Sequence, residues 1–356
     1  MKNSSYYNKE ILELFKNLLR YNKTNLSFLS LLLRTLWYQK KALNRRTKSK
    51  YEGVQVPPLL VISITKSCNL NCTGCYQKAQ NRTAKTEMSE EKIVSILSEA
   101  NELGSSVVLL VGGEPFTRKD IFNITKRFKN MIFGVFTNGV LIDQSTIINF
   151  KNNKNVIPIL SLEGDENMTD ERRGTGVYHH AKSVAFQLKA NKIPFGVSLT
   201  ATNRNYQIIT TESYINNHIE SGCKFFFYFD YIPNNCNNKE LWLNSSQQSE
   251  LKTFYKSFRK KYKSLCLAAS AEENIGGCLG AGRGLIHINY DGSVEPCPFS
   301  PISNRNLYTS TLKDSLKSDL FQFIRDNHDK LENNNSGSCT LWENRDLVSS
   351  FLEQNK

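Results

Sequence analysis

Long apolar runs are missing from this sequence. No stretch of 18 apolar residues occurs, and the opening MKNSSYYNKE has no apolar signal core behind its basic start. Neither a membrane-spanning helix nor a secretory leader is therefore expected, and the chain reads as cytoplasmic. Acidic side chains are scarce, 33 Asp and Glu against 46 Lys and Arg, for a net charge of +13. That excess favours an acidic partner, such as anionic lipid, an acidic peptide or nucleic acid. Nucleic acid is the least favoured, since charge alone defines a surface and not a site. Internal repeats and long low-complexity tracts are also absent. With 39% hydrophobic and 22% charged residues over 356 positions, disorder of the whole chain is excluded. The length holds one large domain with appendages, or two to three small ones. Nine cysteines in a reducing compartment exclude a disulfide frame and point to metal ligation or catalysis.

The hydrophobic pattern divides the chain into three parts. Residues 1–55 read as a basic, amphipathic helical extension, from ILELFKNLL and LSFLSLLLRTLW to KKALNRRTKSK. It is expected to pack on the main domain or to lie on an anionic membrane surface, which would make the protein peripheral to the membrane. Over residues 56–264, six apolar, β-branched runs alternate with helix-length segments: LLVISIT (59–65), SVVLLV (106–111), IFGVFT (132–137), VIPILSL (156–162), FGVSLTA (195–201) and KFFFYFDYI (224–232). Strands apolar on both faces, each followed by a helix, predict an α/β fold, a partial (βα)6 TIM-like barrel whose chemistry lies at the C-terminal strand ends. Residues 265–356 break the alternation and read as a small α+β extension, with a hairpin turning at Asp291-Gly292.

The cysteines then become specific. Cys68, Cys72 and Cys75 follow the first strand as C-x3-C-x2-C. Three thiolates on one tight loop can hold three irons of a [4Fe–4S] cube and leave the fourth iron open. Zinc is the alternative, but structural zinc normally takes four ligands, and no fourth Cys or His lies nearby. After the second strand comes GGEP, Gly112, Gly113, Glu114 and Pro115, where glycines allow close backbone approach and Glu114 can accept from an ammonium group.

In this order and spacing the two motifs resemble the radical S-adenosylmethionine (radical SAM) enzymes. The likeness continues through TNG (137–139), SLEG (161–164) and SLTAT (198–202) at later strand ends. It implies a [4Fe–4S] cluster with an open iron on Cys68, Cys72 and Cys75, with S-adenosylmethionine contacted by Gly112 to Pro115, Asn138, Ser161, Glu163 and Ser198. It further implies that one electron, from ferredoxin or flavodoxin, cleaves S-adenosylmethionine to a 5′-deoxyadenosyl radical that abstracts hydrogen from a substrate. The aromatic residue that family often places before the third cysteine is here Gly74; Tyr76 is the aromatic offered instead. Arg172 and Arg173 read as ligands of a carboxylate or as a solvated pair.

Cys278 and Cys297 flank the hairpin in CLGAGRGLIHINYDGSVEPCP, and Cys339 follows. This segment resembles the SPASM and Twitch extensions of the same superfamily, which implies a probable auxiliary [4Fe–4S] cluster on Cys278, Cys297 and Cys339, with Cys266 as a candidate fourth ligand. Cys223 and Cys236 border the sixth strand. Cys223 is the candidate catalytic thiol, donating a hydrogen atom to a substrate radical. The extension makes a ribosomally made peptide the leading substrate and a lipid or small molecule the second. A non-enzymatic iron–sulfur carrier or redox sensor is the rival from another class, and it leaves GGEP and SLEG unexplained.

Overall fold

A computed structural model of the chain describes residues 26–84, 86–233, 238–262, 265–268, 278–327, 331 and 339–354. Among them are nine strands: β1 (Leu59–Thr65), β2 (Val107–Gly112), β3 (Ile132–Thr137), β4 (Val156–Leu162), β5 (Phe195–Ala201), β6 (Cys223–Asp230), β7 (Leu265–Ala268), β8 (Leu285–Ile288) and β9 (Val294–Glu295). They form one sheet in the order β7-β6-β5-β4-β3-β2-β1-β8-β9. All neighbours are parallel except β8 and β9. The sheet does not close, so β7 and β9 are its edges.

Apolar strands become buried parallel strands here because helices cover one face, while on the other Leu109, Ile159 and the rings of Phe136, Phe227 and Phe229 come together. Alternation along β6 shows both environments. Phe226 and Tyr228 pack against Phe258 of the helix Ser245–Lys261, while Phe227 and Phe229 face Phe136 with ring centroids 5.2 and 5.8 Å away. The helix Glu90–Leu103 buries Ile93, Ile96, Leu97, Ala100 and Leu103, the spacing of a single stripe. Ser89 caps its start by accepting from the Lys92 N–H, and Gly104 ends it in the left-handed region, φ 108°. A Cβ at Gly104 would lie 2.6 Å from the Ala42 carbonyl. Glycine there therefore lets the helix Leu26–Tyr51 dock against the main domain.

That docking is polar. Arg45 donates to the Asn101 carbonyl at 2.8 Å, Arg46 to that of Gly104 at 2.5 Å, and Ser106 to Gln39 at 2.7 Å. The expected extension is thus a helix packed beneath the sheet, at the N-terminal ends of its strands; residues 1–25 lie outside the described residues. Among the described residues no helix is long and apolar enough to cross a membrane.

The six expected strands are present, with β2 and β6 displaced by a residue or two. The finding not anticipated is that Leu265–Ala268 and Leu285–Ile288 continue the sheet. β7 extends one edge, and β8 pairs with β1 in parallel, Leu59 opposite Leu285. The hairpin β8–β9 turns at Asp291-Gly292 as expected, with Gly292 at φ 85° and the Asp291 carboxylate accepting from Ser293 N–H at 3.1 Å. It is part of the main sheet and not of a separate layer.

Candidate cluster and cofactor site

Parallel strands put all their C-terminal ends on one rim, and the loop Cys68–Cys75 follows β1 there. Cys68 is exposed; Cys72 and Cys75 are half-buried. Neighbouring strand ends tie the loop down. Asn138, after β3, donates to Asn69 at 2.9 Å, and Lys78 donates to the Leu70 carbonyl at 3.0 Å. Thr73 exchanges two bonds with Arg172, from Thr73 N–H to the Arg172 carbonyl at 2.9 Å and from Arg172 Nε to the Thr73 carbonyl at 3.1 Å. Burial pushes the Cys68 thiol pKa up, and Glu114, Cys72 and Cys75 push it the same way, so these four groups share one electrostatic neighbourhood.

GGEP is pressed against this loop. A Cβ at Gly112 would lie 2.2 Å from the Thr65 carbonyl oxygen, and one at Gly113 would lie 2.1 Å from that of Ser67. Only glycine permits the two bonds that lock the segments, Gly113 N–H to Thr65 at 2.9 Å and Glu114 N–H to Ser67 at 2.8 Å. Glu114 is 1% exposed. Its Oε1 accepts from Phe116 N–H at 3.1 Å and the Thr137 hydroxyl at 2.8 Å, and its Oε2 from Asn138 N–H at 2.8 Å. Burial raises its pKa against the pull of these bonds. Glu114 thus fastens GGEP to TNG, and Oε2 keeps acceptor capacity for one further donor.

Glu163 of SLEG is equally buried, 1% exposed. Its Oε1 takes Arg172 and both Nε (2.9 Å) and Nη2 (2.5 Å) of Arg173, whereas Oε2 has no partner. Burial works against the Arg173 charge, but Glu163, Cys72 and Cys75 outweigh it and hold its pKa up. The arginines are therefore not a solvated pair: they join SLEG to the cysteine loop. Ser161 stands opposite Ser198 across β4 and β5.

Five contributors carry no signal in the sequence. Asn205 donates to the Glu163 carbonyl at 2.8 Å and accepts from Thr202 N–H at 2.7 Å, fixing the turn after β5. Beside Tyr76, a buried chain runs from Ser63 to His287 Nε2 (2.8 Å), from His287 Nδ1 to Glu295 (2.7 Å), and from Glu295 to Arg82 Nη2 (2.9 Å). No local motif announces it, because β8 meets β1 only through the sheet. Tyr76 itself rests edge-on against Phe299, 5.3 Å between centroids, and burial raises its pKa. The space over Gly74 is filled by Tyr231: a Cβ at Gly74 would lie 2.8 Å from that ring.

Other expected residues fall elsewhere. Cys223 is fully buried at the start of β6, the end of the sheet away from the cysteine loop. Its Sγ–H points to the Phe225 carbonyl at 3.2 Å, and burial pushes its pKa to about 12. A thiol held there does not face the rim, which corrects the hydrogen-donor assignment. Cys236 lies outside the described residues. Cys266 is buried on β7 opposite Phe226, on the other edge from the hairpin, so it is not placed as a ligand beside Cys297. The segments that carry Cys278, Cys297 and Cys339 meet. A Cβ at Gly280 would meet Leu341 at 2.9 Å, the Pro296 carbonyl at 3.3 Å and Cys278 Sγ at 3.4 Å, so the three cysteine-bearing segments meet at that glycine.

Among the described residues no three Cys, His, Asp or Glu side chains converge on one point to hold a single ion. Tetrahedral zinc requires such convergence. A cubane instead spreads its thiolates over separate corners. The orphaned Glu163 Oε2 and the spare acceptor on Glu114 suit a polar, amine- and hydroxyl-bearing cofactor beside it.

The sequence agrees. Residues 62–207 match the model of the radical SAM superfamily. Proteins of this superfamily are enzymes that use a [4Fe–4S] cluster and S-adenosylmethionine. Two relatives come from Methanosarcina barkeri. The Fe-coproporphyrin III synthase is 30% identical over 43% of this chain, a match that spans 39% of the synthase's length. The AdoMet-dependent heme synthase is 22% identical over 76% of this chain and 85% of its own. In fold the chain is similar to SuiB of Streptococcus suis, solved bound to the precursor peptide SuiA. The TM-score is 0.65 and the identity 21%, over 83% of this chain and 72% of SuiB.

Proposed function

We propose that Cys68, Cys72 and Cys75 hold the [4Fe–4S] cluster, and that Gly112–Pro115, Asn138, Ser161, Glu163 and Ser198 surround S-adenosylmethionine. The observation that carries this is the buried Glu163 Oε2 without a partner, held next to the cysteine loop by Arg172 and Arg173. The cluster and S-adenosylmethionine, when bound, supply hydrogen-atom abstraction from an unactivated carbon, driven by one electron from ferredoxin or flavodoxin. The chain's own residues anchor the loop, neutralise the buried carboxylate and keep water from the rim.

The substrate proposed is a ribosomally made peptide. The fold likeness to SuiB, solved with a precursor peptide, and the cysteine-bearing segments that meet at Gly280 support it. Cys278, Cys297 and Cys339 are proposed to hold an auxiliary cluster that accepts an electron or anchors substrate. A small-molecule substrate is the second reading, favoured by the extent of the match to the heme synthase. A basic helix beneath the sheet is proposed as the contact with an anionic membrane surface. The test is anaerobic reconstitution with dithionite: 5′-deoxyadenosine formed by the wild type, and none by a Cys68/Cys72/Cys75 triple-alanine variant, is the expected result. If a short peptide from a neighbouring gene gains no mass change while a porphyrin does, the small-molecule reading replaces the peptide one.

A further inference from the structure

We infer that the protein has a second ligand site, for a phosphate-bearing anion, in a cleft on the side of the sheet opposite the cysteine loop. The cleft has a volume of about 430 Å³. The helix Leu26–Tyr51 lines it with Trp37, Lys41 and Arg45, and the connection into β3 with Lys126, Arg127 and Lys129. Ser106 and Asn130, just before β2 and β3, also line it, so it opens at the N-terminal strand ends. The cysteine loop follows the C-terminal end of β1, one strand length away, or about 20 Å.

Charge and order both point to an anion. Five cationic side chains line the cleft and no carboxylate does. Glu90 touches the set from outside, pairing with Arg127 at 3.2 Å. Parts of the wall are already fixed. Arg45 Nη1 donates to the Asn101 carbonyl at 2.8 Å and to its side-chain oxygen at 3.2 Å, and Asn130 donates to the same oxygen at 2.6 Å. Lys41 lies over the Trp37 ring, 3.6 Å from its centroid. Behind Ser106, which donates to its oxygen at 2.7 Å, Gln39 is 2% exposed and its Nε2 has no partner. Five cations with the Ser106 and Asn130 side chains and no carboxylate make a lining that takes an oxyanion.

Trp37 is 53% exposed and Leu33, one turn earlier, 55%. An apolar flank beside the cations accepts the ring of a soluble phosphorylated compound or the upper acyl region of a phospholipid. Phosphate is the chemistry common to both.

Trp37 also reports occupancy. Full-length protein is titrated with pyrophosphate while tryptophan emission is followed, and separately with phosphatidylcholine vesicles with or without phosphatidylglycerol. Trp37→Phe assigns the signal among the three tryptophans. Saturable binding is expected that weakens as salt rises. In Lys126→Glu/Lys129→Glu, both exposed positions, it should weaken about tenfold or more, with unchanged circular dichroism and thermal midpoint. A pyrophosphate response without a preference for phosphatidylglycerol identifies a soluble ligand; a vesicle response that pyrophosphate competes away identifies a lipid headgroup. No response to either probe, or the same response in the charge-reversed variant, overturns the site.

Discussion

The two cysteine groups of this chain are built in opposite ways. Cys68, Cys72 and Cys75 sit within one eight-residue loop after β1, so their proximity is local and their spacing carries the information. Cys278, Cys297 and Cys339 arrive on separate segments that meet at Gly280. The first group is fastened to three other strand ends, through Asn138, Glu114 and the Arg172–Thr73 pair. The second is tied by the packing at Gly280 and by backbone bonds such as Ala281 N–H to the Pro296 carbonyl at 3.1 Å. A loop braced by the barrel should therefore keep its iron when the distal group is disturbed, and the converse should hold less well.

The largest expected effect breaks the local group. In the Cys68/Cys72/Cys75 triple-alanine variant, iron per chain should fall from about eight to about four, with complete loss of 5′-deoxyadenosine. Cys297→Ala should also leave about four irons, but with 5′-deoxyadenosine formation in the absence of peptide retained; loss of that activity as well would show the two groups to be interdependent. Next in size is Gly113→Ala. A methyl group 2.1 Å from the Ser67 carbonyl must push the cysteine loop outward. The expected destabilisation is about 2–3 kcal/mol by urea denaturation, together with reduced iron retention. Gly280→Ala, whose first contact is a movable leucine methyl, should cost less and affect only the distal iron.

Glu163→Gln sharpens the same contrast at constant iron. The amide leaves Arg172 and Arg173 buried without a charge partner, and S-adenosylmethionine affinity measured by equilibrium dialysis should drop by about tenfold or more. If affinity is unchanged, Glu163 only braces the loop. The smallest effect belongs to His218, on the helix Glu212–Glu220, against Tyr214 and Phe226. Burial, and then Lys182, lower its pKa to about 4. The folded state then binds fewer protons than the unfolded state between about pH 4 and pH 6.5, so His218 makes stability fall as pH drops through that window. His218→Gln should flatten that part of a urea-denaturation profile.

Sequence makes the parallel sheet legible where the signal is local, although the sheet stays open. Six apolar runs gave six strands, and C-x3-C-x2-C, GGEP and SLEG landed on one rim because parallel strands end on the same side. What stayed hidden depends on pairing across long separations. Nothing near Ser63 indicates that His287 and Glu295 stand beside it. β8 reads as half of a separate hairpin because a four-residue strand followed by a turn has the same pattern whether or not β1 is its neighbour. Cys223 looked reactive by position in the sequence; only the direction of β6 shows that it lies at the wrong end. Arg172 and Arg173 were ambiguous because a surface pair and a buried clamp read alike until Glu163 and Thr73 are placed.

The pairing of Leu59 with Leu285 also sets an order of events during synthesis. β1, the strand that leads into the cysteine loop, has β2 on one side as soon as residue 112 has emerged, but its other edge stays bare until β8 leaves the ribosome. At elongation rates of roughly 5–20 residues per second, that edge is exposed for on the order of ten seconds or more. Throughout that interval the nascent chain presents an apolar strand edge beside three thiols, to chaperones and to oxidants alike.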